Sequence, residues 1–298
     1  MTGNIDFQSL LDFTGLSAWE QFIWDNAPAL AAALAGLFLV PFVLGYLPGL
    51  GFPGSKAFLK PDTFQDLELV ERRELNHNTR WFRFALPHPE QPVGLPVGQH
   101  ISLRVFGEDG KEISRPYTPV SGEDQLGFVD FVIKIYPKGE MTPLLDALKV
   151  GDKVGFRGPK GRMEYRRNMK RAIGMIAGGT GITPMYQVAK AALADPHDNT
   201  VMSLIFANVT AGDILLRDEL DELAAAHPDR LSVFYVLNEC PPGWTGGSGF
   251  VSEAMIRERL PAPADDVAVW RCGPPAMNAA VRRHLDAVGY PRDAQFQF

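Results

Sequence analysis

Ala172-Ile173-Gly174-Met175-Ile176-Ala177-Gly178-Gly179-Thr180-Gly181-Ile182-Thr183-Pro184 decides the fold of this 298-residue chain. Six uncharged, mostly apolar residues read as a strand buried on both faces, small residues as a tight loop, and Pro184 as the first turn of a helix. The same rhythm recurs downstream. Apolar strands at 172–177, 201–207, 231–237 and 267–271 alternate with helical stretches at 185–194, 214–226, 253–260 and 277–288. Alternating strands and helices predict a parallel, doubly wound, Rossmann-like sheet over residues 169–298.

Upstream the period changes to two. Residues 65–75 (QDLELVERREL), 80–86 (RWFRFAL), 100–106 and 128–136 (FVDFVIKIY) alternate apolar and polar side chains between turns such as Gly107-Glu108-Asp109-Gly110 and Gly151-Asp152. Short strands with polar turns predict an antiparallel barrel over residues 62–168, with one helix at 141–148. The basic stretch 165–171 marks the boundary.

Residues 1–25 form an acidic segment, and no charged side chain lies between Asn26 and Ser55. Residues 27–47 (APALAAALAGLFLVPFVLGYL) would span about 31 Å as a helix, one bilayer crossing, so a transmembrane anchor is expected at 26–48, kinked or shortened at Pro41. Acids precede it, while Lys56 and Lys60 follow, which argues against a cleaved signal and places the remainder in the cytosol. The formal charge is −6 overall, −4 in the first 55 residues and so −2 beyond them, which disfavours nucleic acid as a partner. Cys240 and Cys272, 32 positions apart, form neither a disulfide framework nor the close spacing of a zinc site, and no metal site is expected.

Gly178 to Pro184 is a nucleotide cradle: small residues admit a phosphate to the backbone, and a helix start favours its charge. It departs from the dinucleotide fingerprint, because no third glycine follows and the second strand ends at Asn208 rather than at an acid. Cys272-Gly273-Pro274-Pro275-Ala276-Met277 repeats the strand-loop-helix design, and both loops fall on the carboxyl edge where open sheets bind ligands. Cys272 is either a small buried apolar side chain or a thiol beside the ligand. Arg115-Pro116-Tyr117-Thr118-Pro119 offers a cation, an aromatic face and a hydroxyl, which match a flavin's pyrophosphate, ring and polar edge, although an edge strand ended by a turn would read the same. Gly139-Glu140-Met141-Thr142 offers a second phosphate site. Lys134, among Val132, Ile133 and Ile135, either snorkels to solvent or faces a cleft.

RPYTP, GEMT, GGTGITPM and CGPPAM, in this order, resemble the flavoprotein pyridine nucleotide cytochrome reductases, and among them the NADH–cytochrome b5 reductase family, over residues 62–298. The resemblance implies FAD in the barrel, NADH in the α/β domain and a cleft between them. It implies that Arg115, Pro116, Tyr117 and Thr118 hold FAD, with Val132, Lys134, Met141, Thr142 and Thr183 completing that site. Gly179, Gly181, Cys272, Gly273, Pro274 and Met277 would line the nicotinamide nucleotide, and His100 would join Thr118 and Lys134 in a polar network near the flavin, or else be a barrel histidine hydrogen-bonded for stability. Thr118, Lys134, His100 and Cys272 are the candidate catalytic residues. Some members have an aspartate where this chain has Asn238, but no arginine stands there for a 2′-phosphate, so NADH is expected over NADPH.

The implied activity is hydride transfer from NADH to FAD, then single electrons to cytochrome b5. His88 is followed by Pro89-Glu90, unlike the haem loop of cytochrome b5, so the haem belongs to another chain. Eight basic residues (Lys153, Arg157, Lys160, Arg162, Arg166, Arg167, Lys170, Arg171) against Glu164 alone give residues 153–171 a balance of +7, suited to steering an acidic redox partner, or else a solvated linker. Endoplasmic reticulum and outer mitochondrial membranes both accept such an anchor. The competing readings are a reductase of this architecture serving another acceptor and a redox-inactive, membrane-tethered binding protein. The sequence leaves open whether the C-terminal Phe298 covers the flavin.

Overall fold

A computed structural model describes residues 56–298, so the expected anchor and the acidic segment before it lie outside the described residues. Among the described residues no helix is long and apolar enough to cross a membrane.

Six strands build the first sheet: β1 (Gln65–Asn76), β2 (Thr79–Ala85), β3 (His100–Phe106), β4 (Glu112–Tyr117), β5 (Phe128–Lys134) and β6 (Lys153–Lys160). All its ladders are antiparallel, in the order β4-β3-β6-β1-β2-β5. The chain after β4 reaches the far edge, where the Val120 amide donates to the Asp130 carbonyl at 2.9 Å, so the sheet curls into a barrel. Alternation puts Phe82, Phe84, Phe131 and Phe156 inside, with the Phe84 and Phe156 rings edge to face at 5.0 Å. A short helix, α1 (Thr142–Asp146), follows β5.

The second sheet is parallel throughout: β7 (Ala172–Gly178), β8 (Val201–Asn208), β9 (Leu231–Leu237), β10 (Gly247–Ser248), β11 (Val267–Cys272) and β12 (Gln295–Gln297), ordered β10-β9-β8-β7-β11-β12. Helices α2 (Ile182–Ala194) and α3 (Arg217–Ala226) pack on one face; α4 (Glu253–Arg259) and α5 (Pro275–Val288) cover the other. Every residue of β7 is buried, as a central strand flanked by helices requires. The chain runs outward from β7 through β8 and β9, then returns to place β11 on β7's other side. The order therefore reverses between β7 and β11, and the loops leaving both strands face one crevice.

The two sheets share a core. Trp81, Val97, Val132 and Met163 of the barrel half pack in the same cluster as Met175, Ala177 and Met185 of the α/β half, and residues 57–298 form one compact unit.

Candidate functional site

A cleft of about 820 Å³ lies between the sheets, walled by the end of β4, by β5, by the approach to α1, and by the loops after β7 and β11. It gathers His100, Arg115, Pro116, Tyr117, Thr118, Val132, Lys134, Met141, Thr142, Thr183, Gly181, Cys272, Gly273 and Pro274. Two expected residues do not line it. Met277 lies beneath the loops: a Cβ added to Gly178 would come within 2.4 Å of its sulfur, and one on Gly273 within 2.8 Å. Its role here is to fill space under the crevice. Gly179 borders open space, with φ +55° and no atom within 4 Å of where a Cβ would stand.

Close backbone approach explains the second glycine of the cradle. A Cβ on Gly181 would stand 2.1 Å from the Cys272 carbonyl oxygen, so the two glycine loops touch through main chain. That contact requires glycine on steric grounds alone, since Gly181 has an ordinary helical φ of −62°. At the end of β8, Asn208 is buried, and neither atom of its side-chain amide finds a partner among the described residues. A buried unpaired amide beside a cradle suits a polar ligand such as a dinucleotide.

On the barrel wall, one Arg115 nitrogen donates to Glu140 at 2.6 Å and another to the Ser114 carbonyl at 2.9 Å. Glu140 also takes Lys111 at 3.3 Å, and these bonds to Lys111 and Arg115 hold its carboxyl below the usual range. The Arg115 fork thus already binds an anion, as a pyrophosphate site should. The Thr142 hydroxyl is engaged by the chain: it accepts from the Tyr136 amide at 2.9 Å and donates to the Tyr136 carbonyl at 3.3 Å, pinning the approach to α1. No side chain caps α1. Thr142 therefore shapes the turn while still lining the cleft. Burial pushes the Tyr117 phenol well up, Arg115 opposing, so its ring meets a ligand neutral. Cation, aromatic face, buried Val132 floor and the Thr118 hydroxyl together fit FAD.

His100, Thr118 and Lys134 all face the cleft, but no hydrogen bond joins any two of them among the described residues. Lys134 pairs instead with Asp213 of the 3₁₀ turn Ala211–Asp213, Nζ to Oδ1 3.4 Å. Burial lowers the His100 imidazole below its ordinary value, favouring the neutral ring. Burial also pushes the Cys272 thiol up to about 11, in keeping with a small apolar side chain, and Cys272 lines the cleft.

Sequence reasoning left Phe298 open and missed several other contributors. Phe296 and Phe298 line the cleft, Phe298 lying edge to face with Trp270 at 6.0 Å while its amide bonds the Arg271 carbonyl at 3.1 Å. Gly161, Arg162 and Met163 form a third wall. Asp213 had no signal of its own. The basic run is less free than its charge suggests: Arg167 pairs with Asp195, Arg171 with Asp266, Arg166 with Glu164, and Lys170 donates to the Asp265 carbonyl. Arg157 stacks over Phe64 at 4.3 Å. Lys153, Lys160 and Arg162 have no ion-pair partner among the described residues, and Arg162 sits in the cleft wall. Asn238 donates to the Gly249 carbonyl at 3.1 Å just beyond β9.

Residues 66–165 match the model of the oxidoreductase FAD-binding domain, and residues 175–283 that of the oxidoreductase NAD-binding domain. The chain is 52% identical over 241 residues to NADH-cytochrome b5 reductase 1 of Dictyostelium discoideum, covering 80% of this chain and 83% of that one. It is 48% identical over 268 residues to NADH–cytochrome b5 reductase 1 of Arabidopsis thaliana, covering 89% and 95%. Among solved structures, the cytochrome b5 reductase domain of Ulva prolifera nitrate reductase superimposes with a TM-score of 0.77 at 38% identity, covering 81% of this chain and all of that one.

Proposed function

The chain belongs to the NADH–cytochrome b5 reductases, FAD-containing oxidoreductases, and from that premise we propose how its own residues divide the reaction. Bound between these walls, FAD would supply the hydride acceptor for NADH and the single-electron donor for cytochrome b5. The observation that carries the reading is the meeting of the loops after β7 and β11 at one edge of a cleft whose opposite wall is Arg115 to Thr118.

Arg115 binds the FAD pyrophosphate, exchanging Glu140 for phosphate oxygens. Tyr117 packs its neutral ring against the flavin, and the Thr118 hydroxyl holds a proton at the flavin's polar edge. Val132 seals the floor against water. Gly181 brings the two loops together to receive NADH, with Cys272 presenting a protonated thiol and Gly273 and Pro274 completing the nicotinamide wall. Lys134 contacts the nucleotide. His100 stays neutral beside Gly161. No side chain need move a proton for the hydride step itself; the protein's work is alignment and electrostatic tuning.

Cytochrome b5, or a similar acidic haem protein, docks near Lys160 and Arg162, cations by the cleft that no ion pair engages among the described residues. Residues 26–48 anchor the protein to the endoplasmic reticulum or outer mitochondrial membrane, with the catalytic unit in the cytosol; the uncharged run and the two lysines after it support this reading.

The test is the visible spectrum of the detergent-purified full chain, without oxygen, before and after NADH or NADPH. Flavin bleaching much faster with NADH is expected. A colourless protein would favour the binding-protein reading, and preference for NADPH would overturn the nucleotide assignment at Asn238.

A further inference from the structure

Lys134 closes β5 and projects into the cleft from the barrel half, but its ion-pair partner comes from the other half. Asp213 is buried at the end of the turn that directly follows β8. Its Oδ1 faces the Lys134 ammonium at 3.4 Å, while Oδ2 accepts from the Thr210 amide at 3.0 Å and the Thr210 hydroxyl at 2.8 Å. Burial alone would raise this carboxyl; the two Thr210 bonds and Lys134 outweigh it and hold it below the usual range. The same turn is tied to the barrel a second time, where the Asn76 side-chain amide donates to the Gly212 carbonyl at 3.0 Å. The carboxylate is therefore fixed before any ligand arrives.

We propose that Asp213 is a positioning residue for NADH binding: it immobilises the Lys134 ammonium in the cleft, leaving donors free for the incoming nucleotide. The inference rests on the reading that Lys134 contacts NADH and deepens it. An unrestrained lysine has many rotamers and would lose that freedom on binding; one already held by a buried carboxylate has less to lose. Asp213 does not itself line the cleft, so its effect should fall on binding and leave the hydride step alone.

Asp213→Asn is the informative variant. Its carbonyl oxygen still accepts from Thr210, preserving the turn, while its NH₂ replaces the oxygen that faced Lys134. In the full-length, FAD-loaded enzyme the KM for NADH is expected to rise about 3- to 10-fold, with kcat changed less than about twofold and FAD content unchanged. The Kd of NAD⁺, read from the perturbed flavin spectrum, should move by the same factor. Lys134→Ala should raise KM at least as far, and adding Asp213→Asn to it should do nothing more. Asp213→Glu, which keeps the charge, should stay nearer the wild type than Asn does. Thr210→Ala, which leaves Oδ1 on Lys134, should lower Tm without matching the rise in KM. A wild-type KM in Asp213→Asn beside a raised one in Lys134→Ala would overturn the positioning role and leave Lys134's standing. An unmoved KM in Lys134→Ala would remove the reading beneath it. Additive effects in the double variant, or a KM that falls in Asp213→Asn, would likewise overturn the proposal.

Discussion

Replacing Gly181 by alanine tests the contact that builds the crevice. The new Cβ would stand 2.1 Å from the Cys272 oxygen, 2.5 Å from its carbonyl carbon and 3.0 Å from the Gly273 nitrogen. Ordinary contact begins near 3.4 Å, so one loop must retreat by about 1 Å, and both are main chain. Gly181 has φ −62°, so alanine meets no conformational strain and even gains about 0.4–1 kcal/mol from a stiffer unfolded chain. Overpacking costs about 1–3 kcal/mol, and a clash against main chain falls in the upper part of that range, about 2–2.5, leaving a net loss of about 1–2. At about 2–4 °C per kcal/mol for a unit of this size, Tm should fall by about 2–8 °C in a thermal melt of the FAD-loaded enzyme. Function should suffer more, because a shift of about 1 Å in a substrate-positioning loop lowers kcat/KM for NADH by up to about 100-fold. Gly178→Ala is the milder control: its Cβ would meet the Met277 sulfur at 2.4 Å, and a thioether can swing aside. Gly179→Ala meets no atom and carries only the strain of φ +55°, about 1–2 kcal/mol. Gly181→Ala with Tm within a degree and kcat/KM within twofold of the wild type would refute the main-chain contact.

Three further outcomes are expected. Reversing Lys160 and Arg162 to glutamate should slow cytochrome b5 reduction at low salt and flatten its salt dependence, whereas reversing the already paired Arg167 and Arg171 should not; equal effects in stopped-flow traces would remove the docking face. With its thiol at about 11 rather than 9, Cys272 holds about 100-fold less thiolate at neutral pH, so iodoacetamide should label exposed Cys240 first; mass spectrometry finding Cys272 modified as fast would contradict its burial. His100 has a depressed folded value, so the folded state binds fewer protons than the unfolded one. Its contribution to stability is present above about 6.5, the unfolded value, and is lost as pH falls through that value toward the folded one. Denaturant titrations should therefore show His100→Gln losing less stability than the wild type between pH 7.5 and 5.5, and parallel losses would count against the depression.

The α/β half was legible because burial on both faces leaves an unbroken apolar run, and 231–237 is read from sequence with the bounds the strand has. The helix expected from 214 starts at Arg217, because Leu216 adopts a left-handed φ of 54° and separates it from Ile214 and Leu215. In the barrel half β6 went unread: Gly155, Gly158 and Pro159 break its alternation, and its lysines read as linker. β4 carries Pro116, which an edge strand tolerates, and the edge-strand reading of Arg115 to Tyr117 agrees with its place at the rim of the sheet. The cleft's glycines and RPYT were visible because each is a local motif. Asp213 was not, since its pairing spans 79 positions and nothing in NVTAGD distinguishes a ligand of a distant lysine from a turn cap.

What holds the cleft open to one geometry is apolar rather than polar. Trp81, Val97, Val132 and Met163 are buried in the same cluster as Met175, Ala177 and Trp270, so the wall that receives the flavin and the sheet that receives NADH share side chains. Independent domains meet through smaller, more polar contacts and move by default; these halves would have to expose a core to separate. The Gly98 amide bonded to Gln187 at 2.8 Å, Asn76 on Gly212, and Lys134 on Asp213 then act on a joint already set. The separation of the two cleft walls is accordingly set by folding, and the polar clasps act on that fixed frame. A core substitution such as Met175→Ala, at a buried residue that does not line the cleft, should consequently change the alignment of the two rings and lower kcat, while Asp213→Asn changes KM; the same kinetic signature from both would mean that the apolar joint and the ion pair do not act separately.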